Sequence, residues 1–354
     1  MKTFIKKTLT CAGVAMIATG VYAADVSFSG MVGTQSVTAT KIDTNKHATG
    51  DQEYNSTLGV GAEVGVTASK KLDNGVEVKG NVTIGSGDRY SQFVDQGLNN
   101  DDIQLREANV ALKAGGITAE IGRSLAHSKT SADNWMFDPE LALDSTAVKY
   151  KVDSFGVEAK HSVFKYRDSS TVGNDNVDMY ALNGRYIMEN GHVGLAYNQF
   201  DNAKDITTPA SDEDKYKVLS VGGQYKHGSI TLHGFVADNM VKDEHIKNTD
   251  TDATGAAGIG VKYDGGDWNV HLSSTAIDEA ATPGGLIDEF CKFRSSYVGV
   301  VCTKLGGSYT YNKSGLNVAL DMYFNDAIDD SAAHKAKLDK DFDTTAVLTT
   351  TYSF

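Results

Sequence analysis

The chain has 354 residues, of which 40% are hydrophobic, 36 are Gly and 3 are Pro, and its formal charge is -13. An acidic balance of this size argues against nucleic acid as a partner, because nucleic acid rewards clustered Lys and Arg. Scarce Pro with abundant Gly suits long paired strands joined by tight turns, since Pro cannot donate to a strand ladder.

Residues 1–23 read as a targeting segment. Lys2, Lys6 and Lys7 form a basic start, Leu9 to Val21 a short apolar stretch, and Val21-Tyr22-Ala23 a small-residue cleavage site. Removing the segment leaves 30 of the 33 basic residues against 46 acidic ones, a charge of -16. No run of 18 or more apolar residues follows, so no transmembrane helix is expected. Two classes remain: an exported soluble protein, or a membrane barrel whose alternating strands give a weak hydropathy signal.

From residue 24 to 354 one unit repeats: a strand, a short Gly- or Asn-rich turn, a strand, then a long polar loop. The first strand is expected near Val26 to Val37. Leu58, Val60, Ala62, Val64 and Val66 then alternate with Gly and Glu. After a turn at Asn74-Gly75, Val76, Val78, Val82 and Ile84 alternate with polar residues. The stretch IQLREANVALKA, a Gly115-Gly116 turn and ITAEIGR form the next hairpin, followed by a long loop carrying Trp135, Met136 and Phe137 and then Asp138-Pro139-Glu140. Loops of that length are functional or disordered, and its aromatics point to packing.

Later turns are expected at Asp153–Gly156, Asn190-Gly191, His227-Gly228, Asp264–Gly266 and Lys313–Gly315. About sixteen strands result, with short turns on one side and long loops on the other, the layout of an outer-membrane barrel. That many strands enclose an aqueous channel. Tyr150, Phe155, Tyr186, Tyr225, Tyr263, Trp268, Tyr309 and Tyr311 all lie beside short turns, where an interfacial aromatic girdle would sit.

The motif RExxVxLK, a Gly-rich turn, xxxxGR and a long loop ending in an acidic Pro-Glu pair resembles the general-diffusion porins of Gram-negative outer membranes. The resemblance covers the whole of residues 24–354. It implies an all-β transmembrane antiparallel barrel with short periplasmic turns and long extracellular loops, the third loop folded into the pore. It implies passive diffusion of small hydrophilic solutes and ions, and a homotrimer in outer-membrane lipid and lipopolysaccharide. Phe354, with Tyr352 on the same parity, resembles the signal read by the outer-membrane assembly machinery. The alternatives are a solute-specific channel, or a barrel acting as adhesin or receptor.

Catalytic patterns are absent. The nine His are scattered without an HxxxH or HExxH pair, and neither GxSxG nor CxxC occurs, so no enzyme activity, metal or cofactor is expected. Acidic clusters at Asp212–Asp214, Asp243-Glu244 and Asp326–Asp330 read as solvated loop surface, or as divalent-cation bridges to lipopolysaccharide.

By resemblance, Arg106, Arg123, Asp133, Asp138 and Glu140 are the candidate constriction charges. Arg106 shares parity with Val110 and Leu112, which would face lipid, so a bulge or a packed interior is required. Met31, Thr57 and Leu143-Asp144 stand where further bases are expected, leaving Arg106 as the base of the wall. Loop carboxylates then favour cations.

Cys291 and Cys302 are the cysteines that follow the targeting segment, and an even count in an exported chain favours pairing. The bond would close a loop of about eleven residues, worth on the order of 3 kcal/mol in the chain-entropy model. Thiol labelling of the denatured, non-reduced protein is expected to find no free thiol; two labelled thiols would refute the pairing.

Overall fold

Successive side chains of a strand point to opposite faces, and in the computed structural model this alternation runs around one closed sheet. The structure describes residues 25–42, 52–86, 104–125, 142–164, 177–202, 215–240, 254–278, 281, 300–311, 315–327 and 344–354, and among these there are sixteen strands and no helix. The first half comprises β1 (Asp25–Ile42), β2 (Gln52–Lys71), β3 (Glu77–Ser86), β4 (Gln104–Ala114), β5 (Ile117–Leu125), β6 (Ala142–Val152), β7 (Phe155–Phe164) and β8 (Val177–Met188). The second comprises β9 (Gly191–Asp201), β10 (Lys215–His227), β11 (Ile230–Asn239), β12 (Gly255–Asp264), β13 (Trp268–Ile277), β14 (Val300–Tyr311), β15 (Leu316–Ala327) and β16 (Thr344–Ser353). Each strand pairs antiparallel with its neighbour, and β16 pairs with β1 to close the barrel.

β10 shows the two faces. Tyr216, Val218, Ser220 and Gly222 are buried inward, while Leu219, Val221 and Tyr225 are exposed outward. The same outward row continues around the barrel through Leu195, Leu232, Val261, Leu272, Leu305, Leu320 and Leu348. A soluble sheet hides such residues. A barrel in hydrocarbon presents them, because lipid is the solvent on that side.

The strands run past the apolar stretches that announced them. β1 continues to Ile42, and β2 begins at Gln52, six residues before Leu58. The ladder needs backbone groups only, so pairing extends into the polar rim where outward apolar residues have stopped. The turn expected over Asp153–Gly156 is a two-residue turn at Asp153-Ser154, with Phe155 already opposite Val152. Asp153 takes a positive φ of 48°, as Gly115 does at 56° and Gly228 at 58°. Positive φ in a two-residue hairpin matches the twist of the strands it joins.

All eight girdle aromatics are exposed on the outer face beside short turns, joined by Tyr352, Phe354 and Phe28. Phe155 packs on Tyr186 at 5.0 Å and Tyr263 on Trp268 at 5.4 Å between ring centroids. The girdle has a gap. The turn-side ends of β2 to β5 carry no aromatic, and their outward residues are Val64, Val66, Ala68, Val82, Val110, Leu112 and Ile121.

At the seam, Gly30 and Phe354 exchange backbone hydrogen bonds of 2.9 and 3.0 Å. The Phe354 ring lies across Gly30. A Cβ there would run into Cζ and stand 2.6 Å from Cε2. An aromatic over a strand glycine covers backbone that the missing side chain leaves bare. Gly30→Val is therefore expected to expel the ring and cost about 1–3 kcal/mol. It should lower the temperature at which the folded barrel converts to the unfolded band in detergent gels. Val32→Ala, on the same face two residues on, should shift it far less.

Candidate functional site

The inner wall is the face that the outward apolar row leaves over. On β3 and β4 the alternation contains one irregularity. Thr83 pairs with Glu107 and Ile84 with Leu105, so Arg106 is the extra residue of a bulge. Leu105 keeps the outward face beside Ile84. Arg106 turns inward. A Cβ on Gly85, which belongs to the inward row of Thr83 and Glu63, would stand 3.3 Å from Arg106 Nε. The parity problem posed by Arg106 is resolved by this bulge, which sets Arg106 and Glu107 side by side on the lumen.

Glu107 accepts a 3.1 Å hydrogen bond from Asn81 Nδ2, and Asn81 Oδ1 accepts one of 3.1 Å from Thr67. Across β5 to β7 the charges interleave. Lys149 Nζ lies 3.0 Å from Glu120 Oε2, and in register Lys149 faces Glu158. Lys160 donates to Ser124 Oγ at 3.1 Å, and Ser124 and Ser145 share a 2.8 Å hydrogen bond. Lys160 and Glu158 are only 6% and 5% exposed. Charges so deeply placed persist when opposite charges and hydrogen bonds surround them.

Arg123 stands elsewhere. It is in register with Ala108 and Asp144, on the parity of outward Ile121, and its Nη1 lies 3.6 Å from Asp144 Oδ1. Both side chains are over 40% exposed, so the pair adds little stability. The structure therefore brings Arg106 to the lumen and puts Arg123 on the outer face. Asp133, Asp138, Glu140 and Cys291 lie outside the described residues. Cys302 is buried on the inward face of β14, in register with Thr275 and Asn325.

The expectation that Arg106 stands as the base of the wall does not hold. Lys149, Lys160 and Arg185 also face inward. Parity marks them in the sequence: each sits one residue from an outward apolar residue, Val148, Ala159 or Tyr186. Towards the loop ends of β6 and β8 to β13, the inner face instead carries a packed apolar cluster that includes Leu143, Met179, Phe200, Val218, Phe235 and Ile277. Val177, Met179, Phe200 and Val218 are fully buried, so this arc of the lumen is filled and does not line open water.

The family model described as Gram-negative porin matches residues 9–350. No curated protein matches the chain. Among solved structures, Salmonella typhi OmpF in complex with daunomycin is 16% identical with a TM-score of 0.63, covering 94% of this chain and 98% of that one. In-vitro folded OmpT of Vibrio cholerae, in trimer form, is 15% identical with a TM-score of 0.59, covering 94% and 100%. A double mutant of Rh. blastica porin is 13% identical with a TM-score of 0.54, covering 93% and 100%.

The placement of the two arginines is testable in planar bilayers. Arg106→Gln removes a lumen charge and is expected to move the zero-current potential in a KCl gradient toward cations. Arg123→Gln changes the outer face and is expected to leave it in place.

Proposed function

Because the chain belongs to the Gram-negative porin family and forms an outer-membrane porin channel, we propose that it passes small hydrophilic solutes by passive diffusion and prefers cations to anions. The observation that carries the selectivity is the matching of the bases on β4 to β7. Lys149 is paired with Glu120, Lys113 lies 3.8 Å from Glu77, and Lys160 sits among Glu120, Glu158 and Glu107. With these bases so matched, Asp133, Asp138 and Glu140 of the third loop set the sign of the constriction, against the bases Arg106, Arg185, Lys226 and Lys262 elsewhere on the wall. A ring of carboxylates favours cations, and the charge of -16 after residue 23 adds a negative field at the mouths. That field is screened within roughly 8–10 Å at physiological salt, so the local carboxylates weigh more.

The proposed seat of that loop is the buried apolar cluster on the inner face. Trp135, Met136 and Phe137 supply matching side chains. The working form is a homotrimer joined through β2 to β5. The girdle gap supports this, since a face without interfacial aromatics is not fitted to the headgroup boundary, and small outward residues allow close approach. The chain is exported by residues 1–23, is assembled through Tyr352 and Phe354, and meets lipopolysaccharide at its outer rim.

Reconstitution in planar bilayers is expected to give stepwise, cation-selective conductance. Neutralising Asp138 and Glu140 together should move the zero-current potential toward anions. An anion-selective wild type, or no shift in the double variant, would overturn the selectivity reading.

A further inference from the structure

The charge ladder of β4 to β7 leaves unused a second lumen cluster, on β9 to β15. His271 of β13 is in register with Lys262 of β12 and with Gly306 of β14, and Gly306 with Asp321 of β15. His271 and Asp321 meet across the bare glycine. Nε2 lies 3.0 Å from Oδ1, and a Cβ on Gly306 would run into the carboxylate and stand 2.7 Å from Nε2. Lys304 holds the other carboxylate oxygen at 3.1 Å, with its ammonium 5.2 Å from the centre of the Tyr323 ring.

His233 of β11 also faces a bare glycine. Its ring lies over Gly260, where a Cβ would strike it. His192 of β9 is in register with Gln224, and Gln224 with His233. Three imidazoles therefore follow one another along the inner wall. The other described histidines, His161 and His227, are on outward parity. His271, Lys304 and Asp321 keep 20–24% of their side-chain surface exposed, so the cluster meets lumen water. The charged groups facing it are Arg185 on β8, Lys226 on β10, Lys262 and Asp264 on β12, Lys304 on β14 and Asp321 on β15.

We propose that His192, His233 and His271 form a proton-dependent selectivity wall, separate from the constriction charges, that adds positive charge to the lumen as the pH falls. The proposal rests on the diffusion-channel reading. Imidazole is the side chain whose ordinary titration falls between pH 5 and 8. With neutral imidazoles, Lys304 and Asp321 offset each other. Each proton taken up then adds one uncompensated charge to the wall, which repels cations and draws anions.

The test is the zero-current potential of the full-length reconstituted channel in a KCl gradient at pH 8 and pH 5.5, above most carboxylate titration. The cation-to-anion permeability ratio of the wild type is expected to fall by about two- to fivefold. In His233→Gln/His271→Gln the fall should shrink by half or more; an undiminished fall overturns the proposal. His233→Gln and His271→Gln are also tested singly, and each should shrink the fall by a smaller step than the pair; an undiminished fall in both also overturns the proposal, even if the double variant yields no channels. A wild type that conducts but keeps one ratio at both pH values sinks the proposal alone. A wild type without conductance at either pH sinks the channel reading.

Discussion

In hydrocarbon a backbone N–H or C=O without a partner costs several kcal/mol, and no water is there to supply one. The closed ladder from β1 through β16 answers that constraint, and the rest of the molecule follows from it. Once every backbone group is paired to a neighbouring strand, the sheet can have no edge, so β16 must find β1. Closure leaves each side chain a single choice between two solvents. Leu195, Val221 and Leu272 take lipid; Lys149, Glu120 and Asp321 take the lumen.

The lumen is consequently a designed polar surface and not merely a hole. Its charges sit on strands at fixed spacing, and cross-strand partners hold several of them, as Asn81 holds Glu107 and Ser124 holds Lys160. Preorganised dipoles of this kind need not rearrange when an ion passes. The two charge groups differ in character. The β4 to β7 ladder is built of carboxylates and ammonium groups set against one another. The β9 to β15 cluster contains imidazoles.

Much of this was legible in the sequence. Alternation located the strands, Gly and Asp at hairpin turns set their ends, and aromatics beside those turns foretold the girdle, because each signal is local and fixed by backbone geometry. Two kinds of feature were less accessible. Strand ends ran past expectation at Ile42 and Gln52, since backbone pairing leaves no apolar trace there. Face assignments are the second, where family position and parity disagree. By resemblance Arg123 belongs to the pore, but its parity with Ile121 turns it outward. The resemblance gives Lys149 and Lys160 no role, but their alternation with Val148 and Ala159 turns them inward. Arg106 was the reverse case. There strict parity failed, because a bulge depends on the partner strand and leaves no mark on the strand that carries it.

That bulge makes β4 a strand read in two frames. From Ala108 onward, even-numbered residues take the outer face; at Leu105 an odd-numbered one does. The extra residue acts as a frame-shift, with the pore on one side of the reading and the outer face on the other. A strict alternation spaces lumen residues two apart along a strand, so it can never set two charges at one height on the same strand. The insertion breaks that spacing once, and obtains from a single strand the adjacent opposite charges of Arg106 and Glu107 that would otherwise require two.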